Sequence, residues 1–258
     1  MLFAYNMGVN VKLGFILVAA ASILSFDTAG AADVTVLAVA ATKEVIVELV
    51  PQFEKSSGHK VAITWTGSAN IKKRIAAGEA YDLVIVDGSL IDAFIKEGKV
   101  ANGSRTDLMK SGVGVAVSAG APKFDIDSSE ALKKTLLAAK SIGYSSGSSG
   151  TYMMSLVERM GIADQVKPKM KQVPSGMRIG TMIKSGEVDI GFQQISELIH
   201  ENGVDYLGPL PADIQKITIY SAGLHSGAKE PEAAKALIKA LTGPESAPAI
   251  KQHGMEPN

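Results

Sequence analysis

Serine, threonine and glycine residues follow three short apolar runs of this chain, each at a point where a helical pattern begins. The first junction holds Thr42 and Lys43, and the second holds Gly67 and Ser68. The third is the turn 145–151, which reads Ser-Ser-Gly-Ser-Ser-Gly-Thr. The first turn of a helix leaves backbone N–H groups without partners, and nearby hydroxyls add further donors. Such junctions predict a binding site for an anion.

Helix capping is the alternative explanation for any one of these junctions, since serine and threonine are favoured at N-caps for stability alone. The turn 145–151 contains more hydroxyls than one cap can use, and a further junction from Ser175 to Arg178 adds a cation. Because all four junctions follow predicted strands, they favour one shared site at the carboxyl ends of those strands. The predicted ligand-binding residues of these junctions are Thr42, Lys43, Gly67, Ser68, Ser145, Gly147, Ser148, Ser149, Ser175 and Arg178.

The composition excludes several other kinds of site. Lysine and arginine together number 26, as do aspartate and glutamate, so the charge balance gives no reason to expect nucleic acid as a partner. Cysteine is absent, which excludes disulfides and thiolate metal ligands. No metal-ligand cluster or nucleotide-binding loop stands out, and we predict neither a metal nor a cofactor. Four histidines are interpreted as structural or solvated: His59, His200, His225 and His253.

The N-terminal segment has the pattern of a secretory signal. Lys12 precedes an apolar run over residues 13–25, and Ala29-Gly30-Ala31 supplies a small-residue cleavage step. The apolar run is shorter than the roughly 20 residues that span a bilayer. A buried helix is the alternative, but a strand pattern begins directly at Asp33. We therefore predict that residues 1–31 are a signal peptide, that the protein is periplasmic, and that no membrane span remains after cleavage.

The elements that would position these residues alternate between strand and helix. This alternation predicts an α/β fold with parallel sheets covered on both faces, in which ligands bind beyond the carboxyl ends of the strands. The predicted strands are Val34–Val39, Lys60–Trp65, Leu83–Val86, Val113–Val117, Ser141–Tyr144, Val188–Phe192 and Lys216–Ala222. The predicted helices are Glu44–Ser56, Asn70–Ala77, Leu90–Glu97, Ser129–Ala139, Thr151–Arg159, Arg178–Ser185 and Pro231–Leu241.

Two segments indicate that the chain crosses between two lobes and returns. The stretch 111–118 contains two glycines and is predicted to leave the first lobe as a strand, while Gly208-Pro209-Leu210-Pro211 precedes the returning strand. The predicted first lobe is residues 32–112 plus 218–258, and the second is residues 113–217. The predicted architecture is a two-lobed periplasmic solute-binding fold, with two parallel-type sheets joined by two crossover strands and closure by hinge motion.

Several of these segments resemble the periplasmic molybdate-binding proteins of ABC importers, which are type II solute-binding proteins. The resemblance covers essentially the whole chain after the predicted signal. It implies a small anion held by hydroxyls and main-chain amides without a metal, in a monomer that delivers it to a membrane permease. Thr42 stands where the family has a ligand serine, and Ser68 stands in the matching Gly-Ser motif. The resemblance rests on Thr42, Gly67-Ser68, 82–87, 147–151 and 186–192.

The sequence departs from that family in two places. The stretch 192–197, Phe-Gln-Gln-Ile-Ser-Glu, replaces a tyrosine followed by Thr-Asp-Ala, and the Ser/Gly turn replaces a Pro-Gly-Tyr pattern. A tetrahedral oxometallate suits a neutral cage of amides, whereas Lys43 and the amides of Gln193 and Gln194 suit a larger carboxylate. Charged hydrogen bonds are worth roughly 1.5–3 kcal/mol each, enough to redirect specificity. Gln193 and Gln194 therefore join the predicted ligand-binding residues.

Aconitate isomerase, a periplasmic enzyme activity whose proteins also resemble this family, supplies the alternative function. Such an enzyme needs cations for the carboxylates and one base over an allylic C–H bond. Lys43 and Arg178 are candidate cations, and Lys43 and Asp87 are the candidate catalytic residues. Capping of the helix at Leu90 is the alternative role of Asp87. The sequence favours a binding protein that captures an oxyanion or organic carboxylate for an importer, and it leaves the isomerase open.

Overall fold

Strands and helices alternate along the chain in the predicted order. The computed structural model describes residues 1–4 and 31–258, and the description below concerns residues 31–258. The predicted signal segment falls on residues 5–30 and so lies outside the described residues. Among the described residues, no helix combines the length and apolarity needed to cross a bilayer.

Eleven strands and ten α-helices lie in the described part of the chain. The strands are β1 (Asp33–Val39), β2 (Lys60–Thr66), β3 (Leu83–Asp87), β4 (Thr106–Ser111), β5 (Val113–Ser118), β6 (Ile142–Tyr144), β7 (Met170–Gln172), β8 (Ile190–Gln194), β9 (Val204–Pro209), β10 (Thr218–Leu224) and β11 (Glu256–Pro257). The helices are α1 (Lys43–Ser57), α2 (Ser68–Ala76), α3 (Gly88–Lys96), α4 (Ser129–Ala138), α5 (Ser148–Arg159), α6 (Ala163–Val166), α7 (Gly180–Lys184), α8 (Ile195–Leu198), α9 (Pro231–Thr242) and α10 (Ala247–Gln252).

The strands form two sheets with separate hydrophobic cores. The first sheet has the order β11-β4-β10-β3-β1-β2 and takes its strands from residues 33–111 and 218–257. The second has the order β7-β6-β8-β5-β9 and takes its strands from residues 113–209. One buried apolar cluster belongs to the first sheet, and two others belong to the second. We call each sheet with its packed helices a lobe.

Helix α1 illustrates how the sequence builds these layers. Val45, Leu49, Val50 and Phe53 are spaced to form one face, and all four are buried against the first sheet. Full burial of one such side chain contributes roughly 1.5–3 kcal/mol. The helix ends at Gly58, whose φ of 77° is left-handed and therefore favours glycine. Packing on the sheet fixes where the amino end of the helix lies at the cleft.

The two lobes are joined by two crossover segments that touch each other. Gly112 links β4 to β5, and residues 210–217 link β9 to β10. The side-chain oxygen of Gln215 accepts the backbone N–H of Val113 at 2.8 Å, and its amide nitrogen donates to the carbonyl of Val113 at 3.0 Å. A Cβ on Gly112 would lie 3.0 Å from that amide nitrogen. The crossovers therefore form one hydrogen-bonded connection between the lobes.

All seven predicted strands and all seven predicted helices are present, with ends shifted by at most three residues. The sheets are only partly parallel, however. The groups β2-β1-β3 and β7-β6-β8 are parallel, whereas β10, β4, β11, β5 and β9 pair antiparallel. The prediction of parallel sheets is corrected in this respect, because strands at the crossovers enter each sheet against the direction of its parallel core. Four strands were not predicted: β7, β9 and β11 lie at sheet edges, whereas β4 lies inside the first sheet between β11 and β10.

Candidate functional site

The carboxyl ends of β1, β2, β6 and β8 meet at a small cavity between the lobes, which we call the inner cavity. Its volume is about 30 Å³, and beside apolar residues its lining includes serine and tyrosine hydroxyls, two glutamine side chains and one glutamate among the described residues. No lysine or arginine of the described residues lines it. The lining residues are Val39, Ala40, Ala41, Gly67, Ser68, Ser145, Ser146, Gly147, Ser148, Ser149, Gly176, Met177, Gln193, Gln194, Glu197 and Tyr220.

The lobes are in direct contact beside this cavity. A Cβ on Gly67 of the first lobe would lie 2.5 Å from the hydroxyl of Ser175 and 2.9 Å from the backbone nitrogen of Gly176 in the second lobe. The hydroxyl of Ser196 donates across the cleft to the carbonyl of Ala41 at 2.8 Å. Glycine is thus required at position 67 for this closed arrangement, since any larger side chain would push the lobes apart.

The serine-rich turn before α5 is held together by its own hydroxyls. The hydroxyl of Ser145 accepts the backbone N–H groups of Gly147 at 3.2 Å and Gly150 at 3.1 Å, and it pairs with the Ser149 hydroxyl at 2.7 Å. A Cβ on Gly150 would lie only 1.6 Å from the carbonyl oxygen of Ser145. Ser145 and Ser149 therefore shape the turn, which presents Ser148 and the first-turn N–H groups of α5 to the cavity.

The two neighbouring glutamines at the end of β8 are both buried and both engaged in hydrogen bonds. Gln193 accepts the backbone N–H of Ile179 at 2.6 Å and donates from its amide nitrogen to Glu197 at 2.8 Å. Gln194 donates from its amide nitrogen to the carbonyl of Gly112 at 3.0 Å. Its side-chain oxygen accepts hydrogen bonds from the hydroxyls of Ser148 at 3.2 Å and Tyr220 at 3.3 Å. The amide orientation follows from these partners. Gln193 thus positions Glu197, and Gln194 positions the hydroxyls of Ser148 and Tyr220.

Glu197 in α8 is the one carboxyl group that lines the inner cavity. Burial raises its pKa to about 7, because the charged form loses its hydration. The positive charge of Arg178 and the hydrogen bond from Gln193 lower the pKa in part, while the charges of Asp87 and Glu201 raise it further. A carboxyl group with this pKa exchanges a proton readily near neutral pH, which is the property of a general acid or base.

Asp87 and Tyr220 lie on the opposite wall, where β3 and β10 pair directly. The hydroxyl of Ser68 donates to one oxygen of Asp87 at 2.5 Å, and the other oxygen, Oδ1, is buried without a hydrogen-bond partner. Burial raises the pKa of the Tyr220 hydroxyl well above its usual value, and the charges of Asp87 and Glu197 add to this effect. The cleft therefore gathers carboxyl groups from both lobes around one tyrosine.

A second, larger cavity adjoins the first, and we call it the outer cavity. Its volume is about 550 Å³, and it shares Ser68, Ser146, Gly147 and Ser148 with the inner cavity. Unlike the inner cavity, it is lined by two cations. The remaining lining residues are Ala69, Lys72, Asp87, Ser89, Leu90, Thr151, Tyr152, Ser155 and Lys216.

The structure brings most of the predicted ligand-binding residues to the inner cavity. Those that line it are Gly67, Ser68, Ser145, Gly147, Ser148, Ser149, Gln193 and Gln194. Asp87, the predicted candidate base, lines the outer cavity. Its side chain makes no capping hydrogen bond to α3, the helix that follows it.

Four predicted ligand-binding residues do not line the inner cavity, and their role in binding stays a prediction. Thr42 is buried, and its hydroxyl donates to the carbonyl of Val39 at 3.0 Å. Lys43 begins α1 and is exposed. Ser175 lies against Gly67 with a buried hydroxyl that has no partner. Arg178 forms ion pairs with Glu44 of α1 and with Glu201 of the second lobe, so its charge is already paired.

Polar contacts beside the cleft tie the two lobes together. Arg178 of the second lobe forms ion pairs with Glu44 of α1 and, at 3.7 Å, with Glu201. In the first lobe, Nε2 of His253 lies 2.7 Å from Oε2 of Glu48. Its Nδ1 lies 2.9 Å from Nε2 of His200 in the second lobe. Burial and the neighbouring His253 lower the pKa of His200.

Sequence reasoning missed Glu197 and Tyr220 as site residues. Gln193 lies in β8 and Glu197 in the short helix α8 that follows, and their hydrogen bond depends on the bend of the chain between the two elements, which the sequence does not reveal. Tyr220 likewise has no local signal, because only strand pairing brings β10 against β3. Among the described residues, no group of three histidine, aspartate or glutamate side chains is arranged to hold a metal.

Comparison with known proteins identifies the family. The profile of the bacterial extracellular solute-binding proteins matches residues 34–256. The chain belongs to this family. A curated relative, aconitate isomerase from Pseudomonas sp, is 36% identical over 254 residues, which cover 96% of each chain. The molybdate-binding protein ModA of Escherichia coli (strain K12) is 26% identical over 245 residues, covering 91% of this chain and 95% of its own.

Solved structures of this solute-binding family share the two-lobed fold. The periplasmic molybdate-binding protein of Azotobacter vinelandii superimposes with a TM-score of 0.73 at 21% identity, over 86% of this chain and 98% of its own. At this identity the likeness concerns the fold alone. The predicted resemblance to molybdate-binding proteins and the two-lobed α/β architecture are both confirmed.

Proposed function

We propose that this solute-binding protein is a periplasmic aconitate isomerase, which moves the double bond of an unsaturated tricarboxylate in the cleft between its lobes. The observation that carries the proposal is the buried carboxyl group of Glu197, which lines the inner cavity with a pKa of about 7. Capture of an anion alone does not require a titrating carboxyl group in the binding site, and the charged form of that group opposes the binding of any anion. An enzyme that transfers protons requires such a group.

The proton transfer balances without any cofactor. Glu197 as a carboxylate removes a proton from the methylene carbon of cis-aconitate, and the released electron pair forms the new double bond. The electrons of the old double bond take up a proton at its far carbon, and the carboxyl group of Glu197 delivers it. The product differs from the substrate only in the position and geometry of the double bond. One residue thus serves first as base and then as acid.

Neutral donors around Glu197 fit the charge that develops in this reaction. Removal of the methylene proton places negative charge on the adjoining carboxylate. The first turn of α5 presents N–H groups to the inner cavity, and Ser148 adds a hydroxyl. Donors fixed in this way stabilise the charge without reorganising during the reaction. The 36% identity to an aconitate isomerase over nearly the whole chain supports the same function.

A second candidate function is the capture of a small oxyanion for an ABC permease. It is favoured by the inner cavity itself, which is small, free of lining lysine and arginine among the described residues, and rich in hydroxyls and amides. The 26% identity to a molybdate-binding protein also supports it. On either account, the protein acts in the periplasm after loss of its signal, which N-terminal sequencing of periplasmic material would test by a start at or beside Ala32.

Incubation of the purified protein with cis-aconitate separates the two functions. Proton NMR follows the appearance of trans-aconitate. We expect conversion until both isomers reach equilibrium. Calorimetric titration with molybdate is the parallel measurement. Tight binding of molybdate with no conversion of cis-aconitate would overturn the isomerase and leave the oxyanion-binding protein.

A further inference from the structure

We propose that the outer cavity is a carboxylate subsite, in which Lys72 and Lys216 bind the part of a tricarboxylate that the inner cavity cannot hold. This inference rests on the proposed function and assigns the residues that set its substrate specificity. Lys72 comes from α2 of the first lobe, and Lys216 from the returning crossover segment. Neither residue was among those predicted from the sequence.

The sizes of the two cavities require a ligand of this kind to extend outward. The inner cavity of about 30 Å³ has room for only about two water molecules, since one buried water needs roughly 10–15 Å³. One carboxylate group can occupy it, but a whole tricarboxylate cannot. The outer cavity of about 550 Å³ is continuous with it at Ser68 and at residues 146–148. The rest of the ligand therefore lies in the outer cavity.

The charges of the outer cavity fit the remaining carboxylates. Lys72 and Lys216 are exposed, and in the described part of the chain neither ammonium group forms an ion pair with a protein carboxylate. Their charges are thus available to a ligand. Arg178, by contrast, is already paired with Glu44 and lies outside both cavities. The two lysines supply the cations that an isomerase of a tricarboxylate needs.

Asp87 lies on the wall of the outer cavity, beside Ser68, which lines both cavities. Its side chain is 6% exposed and lines the outer cavity, with Oδ2 bound by the Ser68 hydroxyl and Oδ1 buried without a partner. A buried acceptor without a donor is costly unless something else supplies one. Its negative charge also repels ligand carboxylates from this wall, which directs them toward Lys72 and Lys216. A tricarboxylate carries only acceptor oxygens when ionised, so Asp87 orients the ligand in the outer cavity by repulsion and not by a hydrogen bond.

Replacement of each lysine tests the subsite, with a neighbouring lysine as the matched control. We expect Lys72→Met and Lys216→Met each to raise the KM for cis-aconitate about tenfold, which corresponds to 1.4 kcal/mol, with little change in kcat. Lys73→Met should leave KM within twofold, because Lys73 is an exposed neighbour on α2 that lines neither cavity. Wild-type KM in both Lys72→Met and Lys216→Met would overturn the subsite.

A binding measurement keeps this test separate from that of the proposed function. Citrate is a saturated tricarboxylate, so its affinity can be measured by calorimetry whether or not the protein turns over aconitate. We expect Lys72→Met and Lys216→Met to weaken citrate binding about tenfold and to leave molybdate binding unchanged. Absence of turnover with lysine-dependent citrate binding would reject the isomerase and keep the subsite. Turnover with equal citrate affinity in all variants would keep the isomerase and reject the subsite.

Discussion

The inner and outer cavities share one wall but differ in the way they can hold an anion. The inner cavity offers hydroxyls, amides and a titrating carboxyl group, whereas the outer cavity offers two lysines. The inner lining is built from strand ends and first helical turns, which the two cores fix in position. The side chains of the two lysines in the outer cavity are exposed. On our proposals, the family's fold supplies the turns that bind the anion, and the surrounding side chains select the substrate.

This difference explains how one fold can serve both transport and catalysis. Neutral donors bind an anionic group of many ligands, because they require only a negative charge of small size. A proton-transferring carboxyl group changes the outcome only when the ligand carries an acidic C–H bond within its reach. Glu197 and the lysines are therefore the positions at which we expect this protein to differ from a simple carrier of oxyanions.

Closure of the inner cavity is the feature whose loss should have the largest effect on ligand affinity. In Gly67→Ala, the added Cβ would lie 2.5 Å from the Ser175 hydroxyl, so the lobes could not meet as they do in the structure. We expect affinity for citrate to fall by more than tenfold, while the melting temperature without ligand stays near that of the wild type. Calorimetry and thermal unfolding measure the two quantities. Wild-type affinity in this variant would contradict the closed form as the binding form.

Replacement of Glu197 by glutamine should change how stability depends on pH. The pKa of Glu197 is about 7 in the folded protein and near 4.5 when unfolded, so the folded state holds the extra proton between these values. Its stabilising contribution is complete below pH 4.5 and is lost as the pH rises through 7. We expect the unfolding free energy of Glu197→Gln relative to wild type to rise by about 3 kcal/mol from about pH 4 to about pH 8.

Denaturant titrations of both proteins across this range measure the effect. The other carboxyl groups titrate alike in the two proteins, so their contributions cancel in the difference. A difference that stays constant with pH would mean that Glu197 has an ordinary pKa. The proposed role in proton transfer would then lose its physical basis.

Lys43 should show the smallest effect, in contrast to Lys72. The side chain of Lys43 is exposed and lines neither cavity, although the sequence predicts it as a ligand and catalytic residue. We expect Lys43→Met to alter citrate affinity and the KM for cis-aconitate by less than about twofold, as is usual for a surface substitution. A tenfold loss of affinity would show that Lys43 contacts the ligand. The outer cavity would then not be the site that selects the ligand by its charge.

The sequence predicts the fold well, because local patterns determine most of its elements. Apolar periodicity locates α1, and β-branched runs locate β1 and β3. The edge strand β9 is missed because Gly208 and Pro209 interrupt its pattern, which only an edge position tolerates. The antiparallel strands follow from the crossovers and leave no local signal.

The candidate site is predicted in part, for a related reason. Turns such as Gly67-Ser68 and 145–149 can be recognised from their serine and glycine residues alone. The structure brings both turns to the inner cavity. Charged residues are harder to assign, because the sequence does not reveal which charges are paired or where their side chains lie. Arg178 is paired across the lobes and Lys43 is exposed, whereas Lys72 and Lys216 face the outer cavity. Distant strand pairing also decides that Tyr220 lies beside Asp87.

The central claim is that Glu197 transfers the proton, and the turnover of Glu197→Gln tests it most directly. Glutamine keeps the size and hydrogen-bonding capacity of the side chain but cannot accept and return a proton. Glu187→Gln is the control, since Glu187 is an exposed glutamate of the same lobe that lines neither cavity. We predict that Glu197→Gln lowers kcat for cis-aconitate by about 10²–10⁴-fold while Glu187→Gln matches the wild type. A Glu197→Gln protein with wild-type kcat would contradict the account.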